Sequence, residues 1–211
     1  MHLLSLLLAV AVRIQAAPPT VVVSNLFDCP GSSQEIKAIM DADQLDRTQP
    51  TSRIDQKDKK RRERIAEIFA DGCLKTADDY ANAALVFQHG EVPDHFFQAY
   101  LWAARAVELG KDKSKSLMAA AIDRYLMNKG YKQIYATQAT MPHETHGCWC
   151  LWPVEEISTD ADRRKLDRDP LADQMKWVDR LNSGASSCGP AAVCPADAKP
   201  VPKGSLPGVA W

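Results

Sequence analysis

From Ser32 to Gly130 the apolar residues recur at three- and four-residue spacing, the repeat that lays one stripe along a helix. Ile36, Ile39, Met40 and Leu45 outline a first helix. It should start at Ser32 or Ser33, where a hydroxyl can cap free N–H groups, and stop before Pro50. Ile65, Ile68 and Phe69 form the apolar face of a second helix from about Ile54 to Asp71, with Gly72 as its stop. Thr76 and Asp79 have the spacing of a capping box, in which each side chain satisfies a free backbone donor near the other. They open a third helix that runs to His89 and closes at Gly90. Pro93 suits the first turn of a fourth helix, closed by Gly110, and Ser114 or Ser116 begins a fifth, closed by Gly130.

The period then changes. Gln133 to Thr140 and Gly147 to Val154 are short alternating runs rich in Tyr, Ile, Trp and Val. The stretch Met141 to His146 separates them, which reads as a small antiparallel hairpin. A last helix spans about Thr159 to Leu181 and should bend where Pro170 intervenes. From Asn182 onward the chain is mostly Gly, Ser, Pro and Ala, the composition of a flexible tail. The expected fold is mainly α: a helical-hairpin core, a small antiparallel β-hairpin and a flexible C-terminal tail. One helical domain occupies 33–181, an extended lead-in 18–32 and the tail 182–211.

At 211 residues, 45% hydrophobic and 25% charged, the chain has material for one core rather than two. A formal net charge of -1 gives no global attraction to nucleic acid or an anionic membrane. The basic run from Lys57 to Arg64 is interleaved with Asp55, Asp58, Glu63 and Glu67 and reads as a solvated helix face. Leu3 to Val12 is apolar and ends near Ala16 and Ala17, before Pro18. That run is too short for a bilayer and the right size for a signal-peptide core. Residues 1–17 are therefore expected to be removed, leaving a secreted or periplasmic protein with no membrane segment. Six cysteines, an even number, fit that oxidising destination. Cys188 and Cys194 bracket a short loop and suggest a local pair, and Cys29 and Cys73 could staple the first two helices. Cys148 and Cys150 share one side of a strand and are ill placed to bond each other. Connectivity stays open on sequence alone.

The residues from Asp123 to Gln138 carry the candidate chemistry. Asp123 and Arg124 interrupt an otherwise apolar helix, and Gln133, Tyr135, Thr137 and Gln138 follow its end. Charges on a core-facing helix are costly unless paired, so the stretch marks either a structural lock or a polar pocket. Partners available to Asp123 are Arg47, Arg163 and Arg164; those for Arg124 are Asp43, Asp46 and Asp58. Gln88 and His89 end the third helix, with His89 on the face of Leu85 and Val86. An imidazole there can act as a general base, oriented by a carboxylate such as Asp123, or can sit as a helix-end histidine favoured by the dipole. His143, Glu144 and His146, near Cys148 and Cys150, lack a zinc-binding spacing, so no metal is expected. Phosphate-loop, dinucleotide and nucleophile-elbow motifs are missing as well, and no cofactor is expected.

Taken together, Asp43-Gln44 with Arg47, Asp58, Gln88-His89, Asp123-Arg124 and the Gln133 to Gln138 motif resemble the family catalogued as domain of unknown function 6624. Trp149, Leu151, Pro153-Val154 and Arg163-Arg164 fit the same pattern, which covers roughly 33–181. The family's last motif usually carries Gly where Ala136 stands. Residues 76–110 have about the length of one tetratricopeptide-type unit, and Ala99 to Gly110 resembles the second helix of a Sel1-like repeat. The resemblance implies a helical fold with a polar centre and supplies no reaction. Two functional classes follow. In the first, a secreted protein grips a small polar or anionic ligand, or a peptide, through Gln88, Arg124, Gln133, Tyr135, Thr137 and Gln138. In the second, an acid–base hydrolase or isomerase uses His89 as base and Asp123 to orient it, with Arg124 and Gln138 holding an anionic or carbonyl group.

Overall fold

The computed structural model describes residues 28–49, 52–184 and 187–204. The expected signal segment and the lead-in up to residue 27 lie outside the described residues. Five helices build the body: α1 (Ser32–Thr48), α2 (Ile54–Ala70), α3 (Ala77–Phe87), α4 (Pro93–Glu108) and α5 (Lys115–Asn128). Helix α4 packs between α3 and α5, and α1 lies along α3. Ile36, Ile65, Val86, Trp102 and Ile122 fill the core, while Ala83, Ala84, Ala99, Ala103, Ala119 and Ala121 let the backbones of α3, α4 and α5 approach closely.

The helix starts follow local chemistry. Thr76 and Asp79 form both halves of the expected capping box: Asp79 N–H donates to Thr76 Oγ1 at 3.1 Å and Thr76 N–H to Asp79 Oδ2 at 2.9 Å. Helix α1 starts at Ser32 as expected, but without the expected hydroxyl cap. Its N-cap is Gly31, at φ 79°, with no side-chain cap; the Ser33 hydroxyl reaches across to the Asp79 carboxylate instead. Gly90 makes the tight α3–α4 turn possible, since a Cβ there would lie 2.4 Å from that of His95.

The hairpin is shorter than its sequence pattern. Strands β1 (Ala139–Thr140) and β2 (Cys150–Leu151) pair antiparallel over two residues each. The stretch before β1 folds back on itself rather than extending. Gln133 Oε1 accepts from Gln138 N–H at 2.8 Å, and Gln133 Nε2 donates to Gln138 O at 3.0 Å. Within this loop Ala136 takes the left-handed conformation, φ 60°. The expected bent helix is two helices, α6 (Asp160–Lys165) and α7 (Leu171–Asn182). Pro170 serves as the N-cap of α7, and the Asp160 carboxylate joins the two by accepting from Leu171 N–H at 2.9 Å.

The tail requires a correction. Cys188 and Cys194 do not pair with each other; the disulfides are Cys29–Cys73, Cys148–Cys188 and Cys150–Cys194. Cys148 and Cys150, two apart at β2, each take one cysteine of the returning chain. Backbone bonds continue the attachment. Cys194 N–H donates to Leu151 O at 2.8 Å, Lys132 N–H to Lys199 O at 2.8 Å, and Val201 N–H to the Glu155 carboxylate. The described part of the tail is thus bound to the body rather than loose. With all six thiols oxidised, the chain fits an extracellular or periplasmic compartment. Among the described residues no helix is long and apolar enough to cross a membrane.

Candidate functional site

Asp123 and Arg124 leave α5 about 100° apart and meet different surroundings. Asp123 is fully buried and receives hydrogen bonds from four donors: Ile134 N–H (2.8 Å), Tyr135 N–H (3.0 and 3.1 Å to its two oxygens), Thr137 N–H (3.0 Å) and the Thr137 hydroxyl (2.8 Å). Burial pushes its carboxyl above the ordinary range, while the Tyr135, Ile134 and Thr137 donors pull it back. Every group facing it is a donor, so the ionised form is the one the pocket matches. The sequence-based roles of orienting His89 and pairing with Arg47, Arg163 or Arg164 therefore do not hold for Asp123. Gln133 and Thr137, named as ligand contacts, instead turn their polar side chains onto Gln138, Trp152 and Asp123. Tyr135 is buried in the main core, where burial pushes its phenol up. These four residues form the lock.

Arg124 does the opposite. Its Nε donates to Gln138 Oε1 at 2.9 Å and its Nη1 to the Gln88 carbonyl at 2.6 Å, with the guanidinium 6.0 Å from the Phe96 ring centroid. Gln138 is fixed in turn by bonds from its Nε2 to Ala120 O and Thr137 Oγ1. Burial, and then the like charge of Arg47, push the Arg124 pKa down. Among the described residues no carboxylate forms an ion pair with it.

Its three expected partners are engaged elsewhere. Asp43 accepts from Gln44 Nε2 at 2.8 Å and Arg47 at 3.2 Å, and lies 2.8 Å from His89 Nδ1. Arg47 continues to Asp58 at 2.5 Å, Arg61 bridges Asp58 and Asp46, and Lys57 reaches Asp46 at 3.1 Å. Burial pushes the Asp43 carboxyl up, but bonds from His89 and Gln44 and the charge of Arg47 bring it below the usual value. An ionised Asp43 has no proton to give, so His89 Nδ1–H is the donor in this bond. His89 Nε2 has no partner among the described residues, and the ring is 21% exposed.

Two features escaped the sequence. Asp43, not Asp123, orients His89; the sequence offered Asp43 only as a partner for Arg124 and gave no sign that it meets His89. Arg62, read as part of a solvated basic face, is buried and donates to His89 O at 2.8 Å and Glu91 at 2.5 Å. Arg62 and Arg124 together hold the carbonyls of His89 and Gln88, just past the C-terminal end of α3, where the helix dipole favours cations. Gln88 is 5% exposed, and its amide oxygen is buried without a hydrogen bond. The structure thus brings Gln88, His89, Arg124 and Gln138 to one place and keeps Asp123, Gln133, Tyr135 and Thr137 beneath it as support. His143 and Glu144 lie in a short turn, and Cys148 and Cys150 are in disulfides. Among the described residues no cluster of His, Cys, Asp and Glu could hold a metal ion. No protein-family model, curated protein or solved structure matches the chain.

Proposed function

We propose that this is an exported binding protein that takes a small polar anion at the end of α3, against Arg124, His89 and Arg47. The observation that carries the reading is Arg124: a largely buried guanidinium held in place by neutral acceptors and without a counter-charge among the described residues. Burying an unpaired charge is costly, and the neighbouring carboxylates are bound to other cations. A carboxylate or phosphate on a ligand would supply the missing partner, and the planar fork suits either. Export agrees with the three disulfides and with the N-terminal apolar run.

A second reading is favoured by the Asp43–His89 pair, which has the arrangement of a general base with its orienting carboxylate. It stands second because the Thr137 hydroxyl is bound to Asp123, and among the described residues no hydroxyl or thiol is bonded to the imidazole. Calorimetric titration of acetate and inorganic phosphate into the wild type, Arg124→Lys and Arg124→Gln tests the binding reading. Affinity should fall about tenfold or more in Arg124→Gln and less in Arg124→Lys, which keeps the charge and loses the fork. Circular dichroism should show both variants folded. Equal affinities in folded wild type and Arg124→Gln would overturn the assignment.

A further inference from the structure

The turn that joins α3 to α4 is held by a histidine that the anion reading does not use. His95, in the first turn of α4, is half-buried and accepts a hydrogen bond from Glu91 N–H at its Nδ1, at 3.2 Å. A backbone N–H can only donate, so Nδ1 carries no proton and the ring is the neutral tautomer with its hydrogen on Nε2. The ring meets Phe87 edge-on, with centroids 5.8 Å apart, and the side chain packs over Gly90 at the centre of the turn.

The surroundings favour that neutral form. His95 shares a cavity of about 310 Å³ with Lys59, Arg62 and Glu63 of α2, with Phe87 and with Glu91. Burial, and then the charge of Arg62, push the His95 pKa down, against the pull of Glu91 and Asp94. A histidine lowered in this way stabilises the fold fully above the unfolded value of about 6.5, and that contribution is lost as pH falls through the folded value. The other bonds of the turn survive mild acid. Arg62 holds the Glu91 carboxyl below its usual range and also binds the His89 carbonyl, which does not titrate. The same is true of the Gln88 carbonyl that accepts from Arg124. His89 donates to Asp43 through Nδ1 in either charge state. Only the His95 bond needs a ring nitrogen without its proton.

We propose that His95 is an acid-sensitive latch on the α3–α4 turn: a proton on Nδ1 makes the acceptor a second donor, breaks the bond to Glu91 N–H and loosens the segment that carries His89. The latch stands whether or not an anion binds, and it is tested without a ligand. NMR of the wild type from about pH 8 to about pH 5 spans the titration of the ring. At the upper end His95 should show the Nε2–H tautomer. As pH falls, the Glu91 amide resonance should move with the same midpoint as the His95 ring. Protection of that amide against exchange, measured relative to the unfolded chain at each pH, should drop about fivefold, the worth of one hydrogen bond. In His95→Asn a side-chain oxygen stands where Nδ1 stood and does not titrate, so the Glu91 amide should stay protected throughout. Should that variant not fold, the wild-type titration decides alone. An Nδ1–H tautomer at the upper end, a Glu91 amide that does not follow the ring, or an equal loss of protection in folded His95→Asn would overturn the latch.

Discussion

Asp123 and Arg124 are neighbours with opposite needs, and the fold meets them separately. Asp123 organises the loop that follows α5: four donors from Ile134, Tyr135 and Thr137 converge on its two oxygens. Asn at this position offers one acceptor oxygen and turns an NH2 group toward backbone N–H groups. Asp123→Asn should therefore destabilise the protein by about 3 kcal/mol, the order of one or two unsatisfied buried groups. Urea denaturation measures it, and a variant as stable as the parent would mean that the loop is held by something else. The importance of Asp123-Arg124 was legible, since charges in an apolar helix must have a reason. Their directions were not, because helix geometry separates two side chains without saying what either meets. His89 illustrates the same limit: its partner Asp43 is 46 residues away, and only tertiary packing of α1 on α3 joins them. Ala136 is a sharper case. It occupies φ 60°, a conformation costing L-residues about 1–2 kcal/mol, partly offset by burying its methyl against Leu151 and Val178.

Elements whose ends are set by local chemistry were the legible ones. The capping box of α3, Pro93 in the first turn of α4 and the glycines after α4 and α5 fix boundaries by interactions within a few residues. The β-hairpin was over-read because alternation also suits a loop folded on its own side chains, as Gln133 does with Gln138. The α3 cap also carries a pH dependence. Burial raises the Asp79 carboxyl, but bonds from Thr76, Ser33 and Lys75 outweigh it and leave the pKa lowered. A carboxylate depressed in the folded state stabilises above its unfolded value of about 4, and that contribution is lost as pH falls through the folded value. Asp43 has the same sign; Asp123, raised by burial, has the opposite one. Asp79→Asn should cost about 1 kcal/mol at neutral pH. Its gap to the wild type should narrow at pH 3, below the unfolded value of about 4, because the depressed carboxylate's contribution is lost as pH falls toward its folded value. Urea titrations at the two pH values check this, and a gap that widens in acid would contradict the sign.

At the scale of the molecule, covalent closure links the C-terminal segment to the candidate site. Gly-, Ser- and Pro-rich composition read as flexible because it lacks periodicity, yet two disulfides and main-chain bonds hold the described part, which composition cannot report. The connection runs inward through β2. Leu151 bonds the tail at Ala192 and Cys194, Trp152 N–H donates to Gln138 O at 3.0 Å, and Trp152 O accepts from Gln133 at 2.6 Å. Gln138 then receives Arg124. Cys150 and Cys194 are buried, at 2% and 5% exposure, whereas Cys148 and Cys188 are only partly so. The two bridges close overlapping loops, so either alone removes most of the same chain entropy, and their contributions will not add. What separates them is packing. Replacing Cys150 and Cys194 together by Ala should cost about 2–4 kcal/mol and loosen Gln138, weakening acetate binding as well. Replacing Cys148 and Cys188 by Ala should cost less and leave that affinity within a factor of about two, because the inner bridge still fixes β2. Urea denaturation and calorimetry of the two double variants under non-reducing conditions decide the matter. If the outer bridge proved the costlier one, or if loss of the inner bridge left acetate affinity unchanged, the path from tail to Arg124 would have to be abandoned.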